Sequence, residues 1–232
     1  MTLTDFISKV RLVLDMDNST ALISAGDTDA AYLDAIIEGN AVPAAKEIVS
    51  VAPARMLVPG TGATSLTATL TLSNGVYVGS GSLPSDFYRL LAVKMTSWER
   101  PARIIYDDDA EYALQKSRWP GLRGNAEAPV AVLVKDGSDC GYKLETYASR
   151  ESTDTLEYCR YCPVPAITSV TASSTKTIAV PSKLTESIVY ACASLTAETF
   201  GNASLAERYM LHAYRLAEIT TKNTDNNGDK EQ

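Results

Sequence analysis

The hydrophobic period of this chain changes twice, and that constrains its fold more than any single motif. Up to Pro53 apolar side chains recur at helical spacing, from Ala54 they alternate, and from Pro181 the helical spacing returns. Neither terminal helical block is long enough to bury its own apolar stripe well, so the two are expected to pack together. The expected class is α+β: terminal helices in one helical layer, with a small antiparallel β-sheet or barrel inserted between them. The corresponding domains are 1–53 plus 181–221 (helical), 54–180 (β insert) and 222–232 (polar C-terminal tail).

Local signals fill in this outline. Thr2-Leu3-Thr4-Asp5 has the capping-box form, with Phe6, Ile7, Val10, Val13 and Leu14 behind it. Thr28 can cap a second helix with Leu33, Ile36 and Ile37 on one face, ending at Gly39-Asn40. Pro43 suits the first turn of a third helix through Ile48 and Val51, stopped by Pro53. Leu66, Ala68, Leu70 and Leu72 alternate with threonines, and Asn74-Gly75 then precedes Val76-Tyr77-Val78, which predicts a hairpin with a type I′ turn. Strands are expected over Tyr88 to Ser97, Ala102 to Tyr106, Val130 to Lys135, Cys140 to Tyr147 and Thr155 to Cys162. A short helix is expected from Ala110 to Lys116, and a second hairpin about Asp136-Gly137. Pro181-Ser182 starts a helix bearing Leu184, Ile188, Ala191, Cys192 and Leu195, closed by Gly201. Ser204-Leu205-Ala206-Glu207 reads as a second capping box, opening a helix with Ala206, Tyr209, Met210, Ala213, Leu216 and Ala217 inward. The short link makes the pair an antiparallel αα-hairpin.

Composition excludes several functions. The 232 residues carry 21 Lys and Arg against 28 Asp and Glu, a net charge of −7, which rules out a basic nucleic-acid binder. No secretory signal opens the sequence and no stretch suits a membrane span, so a soluble protein made in a cytoplasm is expected. The four cysteines are too few for a disulfide scaffold. Cys159 and Cys162 form a CxxC, but on a strand, positions three apart face opposite ways and lie roughly 10 Å apart, so structural thiols and no metal are expected.

Catalysis by a Ser-His-Asp triad would need the single histidine, His212. It sits between Arg208 and Arg215 at helical spacing on the polar side of the last helix, where a solvated stripe is the default. Asp107-Asp108-Asp109 lacks the glycine and distal glutamate of a calcium loop and reads as helix capping. Gly60-Thr61-Gly62-Ala63-Thr64-Ser65 has no following lysine and reads as a connector before the first hairpin. No catalytic residue, cofactor or metal site is assigned, so the chain is not expected to be an enzyme. The 12 tyrosines suit either interfaces or ordinary packing.

Leu83-Pro84-Ser85-Asp86-Phe87-Tyr88-Arg89-Leu90, Trp98-Glu99-Arg100-Pro101, Glu111-Tyr112, Pro120-Gly121 and Ala128-Pro129 resemble the middle of tailed-phage head-to-tail connector proteins, also called adaptors, neck ring or tail tubular proteins. Tyr158 to Pro163, Val180-Pro181 and the helix from Ile188 to Gly201 continue the pattern. The resemblance spans roughly residues 80 to 215. It implies a structural virion protein, assembled in the host cytoplasm, that forms a ring of usually twelve copies joining portal to tail. Its partners would be itself, the portal protein and the next tail or ring protein, with DNA passing through the channel without specific binding and no membrane contact. An acidic subunit repeated around a pore would repel phosphates and let DNA slide.

Under that reading the polar tail Thr221 to Gln232 has nothing with which to fold alone and is expected to dock on the portal or an adjoining ring through Thr221, Lys222, Asn223, Asn226, Asn227 and Lys230. The competing expectation is a β-rich tail or surface component that binds carbohydrate, which would show exposed aromatic platforms on the β block.

Overall fold

The computed structural model describes residues 1–16, 28–60, 70–137, 141–169 and 175–219. The fold is α+β, and the chain forms two compact units. The first comprises Met1–Val58 and Pro165–Gln232; the second is Pro59–Val164. No described helix is long and apolar enough to cross a membrane.

The first unit begins with α1 (Leu3–Met16) and α2 (Thr28–Val51). The hydroxyl of Thr2 accepts from the Asp5 N–H at 3.1 Å, the main-chain half of the cap read from the sequence. The helix expected to end at Gly39-Asn40 and the one expected to start at Pro43 are a single helix with Pro43 inside it. Proline removes one intrahelical bond and crowds the preceding turn. Tertiary packing outweighs that local stop signal, because Ile37, Ala41, Ala44, Ala45, Ile48 and Val49 are all fully buried.

Among the described residues, the second unit is β-based apart from one short helix and one 3-10 turn, Pro120–Leu122. Its strands are β1 (Thr71–Ser73), β2 (Val76–Ser82), β3 (Phe87–Met95), β4 (Arg103–Tyr106), β5 (Val130–Lys135), β6 (Tyr142–Ser149) and β7 (Leu156–Pro163). Asn74 and Gly75 have φ of 51° and 84°, the two positive values that a type I′ turn demands. Val78 pairs with Thr71 across it; residues 66–69 of the expected hairpin lie outside the described residues.

A five-stranded sheet runs in the order β1-β2-β6-β5-β4, and β3 pairs with β7 in a separate ribbon. One pair departs from the antiparallel expectation, since β4 runs parallel to β5 with Ile105 opposite Val132. Parallel neighbours need a crossover. It is supplied by α3 (Ala110–Gln115) and the loop that follows it through Pro129. The β5–β6 hairpin closes from Lys135 to Tyr142, a wider turn than Asp136-Gly137 alone.

Strand β5 is buried on both faces, which explains its unbroken apolar run. On one face, Ala131, Leu133 and Leu144 pack with Leu83, Phe87, Leu90, Val93, Met95 and Trp98 and with Tyr161 of the ribbon. On the other, Val130, Val132, Ile105 and Tyr147 are covered by Tyr112 of α3. Gly124 sits where a Cβ would lie 3.0 Å from the Val130 main-chain nitrogen. Its N–H donates to the buried Gln115 side chain at 2.8 Å, which fixes the crossover against the sheet.

Residues 165–180 were expected in the β insert, but they belong to the helical unit. Strands β8 (Ile167–Ser169) and β9 (Lys176–Ile178) form a hairpin there. Met1 and Ile178 exchange main-chain hydrogen bonds, so the N-terminus extends the hairpin edge and holds it beside α1.

The unit closes with α4 (Thr185–Thr199) and α5 (Ala203–Leu216). Ser187, Ile188, Val189, Ala191, Cys192, Ala193 and Ser194 of α4 are all buried, so it is a central helix and not the one-sided amphipathic helix its stripe suggested. Its polar side chains are satisfied by neighbouring backbone: Ser187 donates to the Ala213 carbonyl at 2.8 Å and Ser194 to that of Ala206 at 2.6 Å. The cap of α5 is Asn202, whose side chain accepts from the Leu205 N–H. Ser204, expected as the cap, lies two residues after Asn202 and bonds to its side chain. Asparagine is as good a cap as serine, and Gly201, at φ 77°, sets the chain reversal just before it.

Candidate functional site

The expected docking residues Thr221, Lys222, Asn223, Asn226, Asn227 and Lys230 lie outside the described residues. So do most of the glycine-rich connector and Cys140. Gly60 is described, and its N–H donates to the Tyr161 carbonyl at 2.9 Å, which ends the connector on the β3–β7 ribbon.

Cys159 packs against the same apolar cluster as Tyr161, two residues on, whereas Cys162 is buried among other neighbours and its thiol lies 3.6 Å from the Pro163 carbonyl. Burial pushes the Cys162 thiol above its ordinary range, with Arg89 acting the other way. The acidic run is built into the turn in a different way from the helix cap expected. Asp109 stands at the N-cap of α3, yet its carboxylate accepts from the Tyr106 N–H at 2.7 Å, and that of Asp107 from the Lys135 N–H at 3.0 Å. Both acids thus tie the crossover to the end of the parallel pair. Among the described residues, no group of three or more His, Cys, Asp or Glu side chains is placed to hold a metal ion.

The first feature with ligand-binding character is a groove of about 500 Å³ along α4 and α5, lined by Tyr190, Arg208, Tyr209, Leu211, His212 and Arg215. Positions 208, 212 and 215 share one face of α5 because they are four and three residues apart. The Arg215 guanidinium donates to Nδ1 of His212 at 2.8 Å. Arginine has no acceptor, so Nδ1 is the accepting atom of this contact. The His212 ring meets Tyr190 of α4 edge-on, with centroids 4.3 Å apart, and Tyr190 lies 6.1 Å from Tyr209. The result is two guanidinium groups and an imidazole around a half-apolar floor. Arg208, His212 and Arg215 are legible in the sequence as a stripe; the contribution of Tyr190 depends on how the αα-hairpin packs.

A second polar cluster lies under α3. Glu145, with a side chain only 13% exposed, accepts from Tyr147 at 2.9 Å and from Tyr112 at 3.2 Å and pairs with Lys143 at 3.0 Å. The Lys116 ammonium sits 4.0 Å over the Tyr112 ring. Desolvation, then the hydrogen bond to Glu145, raise the Tyr147 hydroxyl far above the ordinary phenol range. The bond to Glu145 also raises Lys143. Both protons are therefore held firmly, which suits a structural network that closes the α3 face and is the opposite of what a proton donor or nucleophile needs.

The crossover also exposes large apolar side chains. Trp119 is 72% exposed, and Leu114 and Leu122 are exposed near it in sequence. Asn74 donates to the Lys116 carbonyl at 2.9 Å, and Arg123 to the Asn74 carbonyl at 2.7 Å, so this segment is fastened to the β1–β2 turn.

No protein-family model matches the chain, and no curated protein is significantly similar to it.

Proposed function

We propose that this chain is a structural virion protein forming a ring in the head-to-tail connector of a tailed bacteriophage, joining portal to tail and lining the DNA channel. The observation that carries the reading is the order of the fold. Both ends of the chain contribute helices to one unit, and a β unit is inserted at 59–164, the arrangement that the connector resemblance implies. Exposed Trp119, Leu114 and Leu122 supply apolar surface that a neighbouring protein would cover. Among the described residues, the one histidine contacts Arg215 and Tyr190. The docking role of Thr221, Lys222, Asn223, Asn226, Asn227 and Lys230 belongs to the same reading.

Antibody labelling of virions tests it. Label at the neck, between head and tail, agrees with the proposal; label on the capsid surface or tail tip contradicts it. Truncation after Ile219 should leave a folded subunit that attaches poorly to the portal. If the truncated subunits build infectious necks as well as the full chain, the tail has no docking role.

Trp119 also favours a second reading, a carbohydrate-binding tail or surface component, because an exposed indole on the β unit is the platform such a protein would use. Saturable binding to host surface glycans, lost on Trp119→Ala, would support it over the connector reading.

A further inference from the structure

We propose that the exposed crossover of the β unit, centred on Trp119, docks on the α4–α5 turn of a second copy of this chain. The contact rests on the connector reading, in which subunits meet one another, and gives that meeting its residues. Residues 112–123 contain Lys116, Arg118 and Arg123 and no acid, in a chain whose net charge is −7. Among the described residues none of the three pairs with a carboxylate: Lys116 lies over the Tyr112 ring, Arg123 donates to the carbonyls of Asn74 and Ser117, and Arg118 is exposed. The same segment exposes Trp119, Leu114 and Leu122. It is a basic patch with an aromatic anchor, and the β1–β2 turn holds it in place through Asn74.

A complementary surface lies in the helical unit. Residues 198–207 carry Glu198 and Glu207 and no base, with exposed Phe200 between them. Both glutamates are exposed, and among the described residues neither forms an ion pair. The Asn202 cap fixes the turn, so both sides of the contact are shaped before they meet and little ordering is needed. Burial of Trp119 supplies the area, while the opposite charges select the partner and its orientation. Because the two surfaces differ, the contact is heterologous: every copy offers one patch and one turn, and the series closes into a ring or continues as a filament. A glycan would use the indole and leave the three cations unanswered. A nucleic-acid strand would meet the repulsion of an acidic protein at long range.

The test is analytical ultracentrifugation of the full chain, of a patch variant (Arg118→Ala with Trp119→Ala) and of a turn variant (Glu198→Lys with Glu207→Lys), alone and mixed. The parent chain is expected to associate reversibly, and less strongly as NaCl rises from about 50 to about 300 mM. Each variant alone is expected to associate at least tenfold more weakly. An equimolar mixture of the two is expected to form a 1:1 complex and go no further, since one intact patch and one intact turn remain between them. All four substituted side chains are exposed, so the variants should keep the parent melting temperature. Three results would each overturn the proposal: a parent chain that stays monomeric at every concentration, variants that associate as the parent does, or a mixture that forms no heterodimer. Rings that persist in both variants overturn this contact and leave the connector reading standing, which the neck labelling tests separately.

Discussion

The hydroxyl of Tyr209 donates to the main-chain carbonyl of Val13 at 3.0 Å, joining residues 196 positions apart. The last helix is thereby fastened to the first inside one unit. Tyr209→Phe removes this donor while keeping the buried ring, and should lower the stability of the helical unit by about 0.5–1.5 kcal/mol. Urea unfolding followed by circular dichroism checks it. An unchanged midpoint would show that water replaces the hydroxyl at no cost.

Gly124→Ala should destabilise the β unit by about 1–3 kcal/mol, the range for overpacking against groups that cannot easily move. The added methyl would meet the main chain of Val130, the first residue of β5, at 3.0 Å. Thermal melting of the variant measures the loss, and the fluorescence of core Trp98 reports on this unit.

Glu145→Ala should cost about 1–3 kcal/mol, because two tyrosine hydroxyls and Lys143 lose their common acceptor beneath α3. Glu145→Gln retains one acceptor oxygen and should cost less. The order of the two variants in denaturant midpoint is the check; equal loss would mean that the hydroxyls find other partners.

Stability should fall on the alkaline side as buried thiol and phenol groups ionise. Burial pushes the Cys192 thiol up to about 12, and burial followed by the bond to Glu47 pushes Tyr214 up to about 12. Both protons are held more tightly in the folded chain, so the associated stability is intact below the unfolded pKa and is lost as pH rises. Loss should therefore begin near pH 8.5–9 with Cys192 and steepen near pH 10 as the tyrosines join. Cys192→Ala, with stability normalised to its own value at pH 7, should postpone the first loss. On the acid side, burial alone would raise Asp154, but hydrogen bonds from Ser97 and Thr96 outweigh it and hold the carboxyl low. Its contribution is present above about pH 3.9 and lost as pH falls through the folded value. Unfolding free energies from pH 3 to 11 test both limbs.

What the sequence makes legible is local and periodic. Thr2 and Asn74-Gly75 act as read because a cap and a type I′ turn are decided within four residues. Pro43 misleads because burial of Ala41, Ala44 and Ala45 is a tertiary fact that local rules do not contain. The parallel pairing of β4 with β5 was hidden for a related reason: alternation gives a strand two faces but not its neighbour's direction. Residues 165–180 read as β insert because the helical period resumes only at Pro181, whereas the β8–β9 hairpin bonds to Met1 and lies in the helical unit. In the groove, Arg208, His212 and Arg215 form a visible stripe. Tyr190, on another helix, becomes part of it only through packing.

The connector reading is tested most directly by the mass and rotational symmetry of the assembled protein, measured by native mass spectrometry and electron-microscope class averages on the protein alone and with the portal protein of the same virion. A closed ring, expected to be dodecameric with a subunit mass of 24.9 kDa and an open central channel, is the predicted result. Particles that stay monomeric or form only an asymmetric complex under both conditions would contradict it.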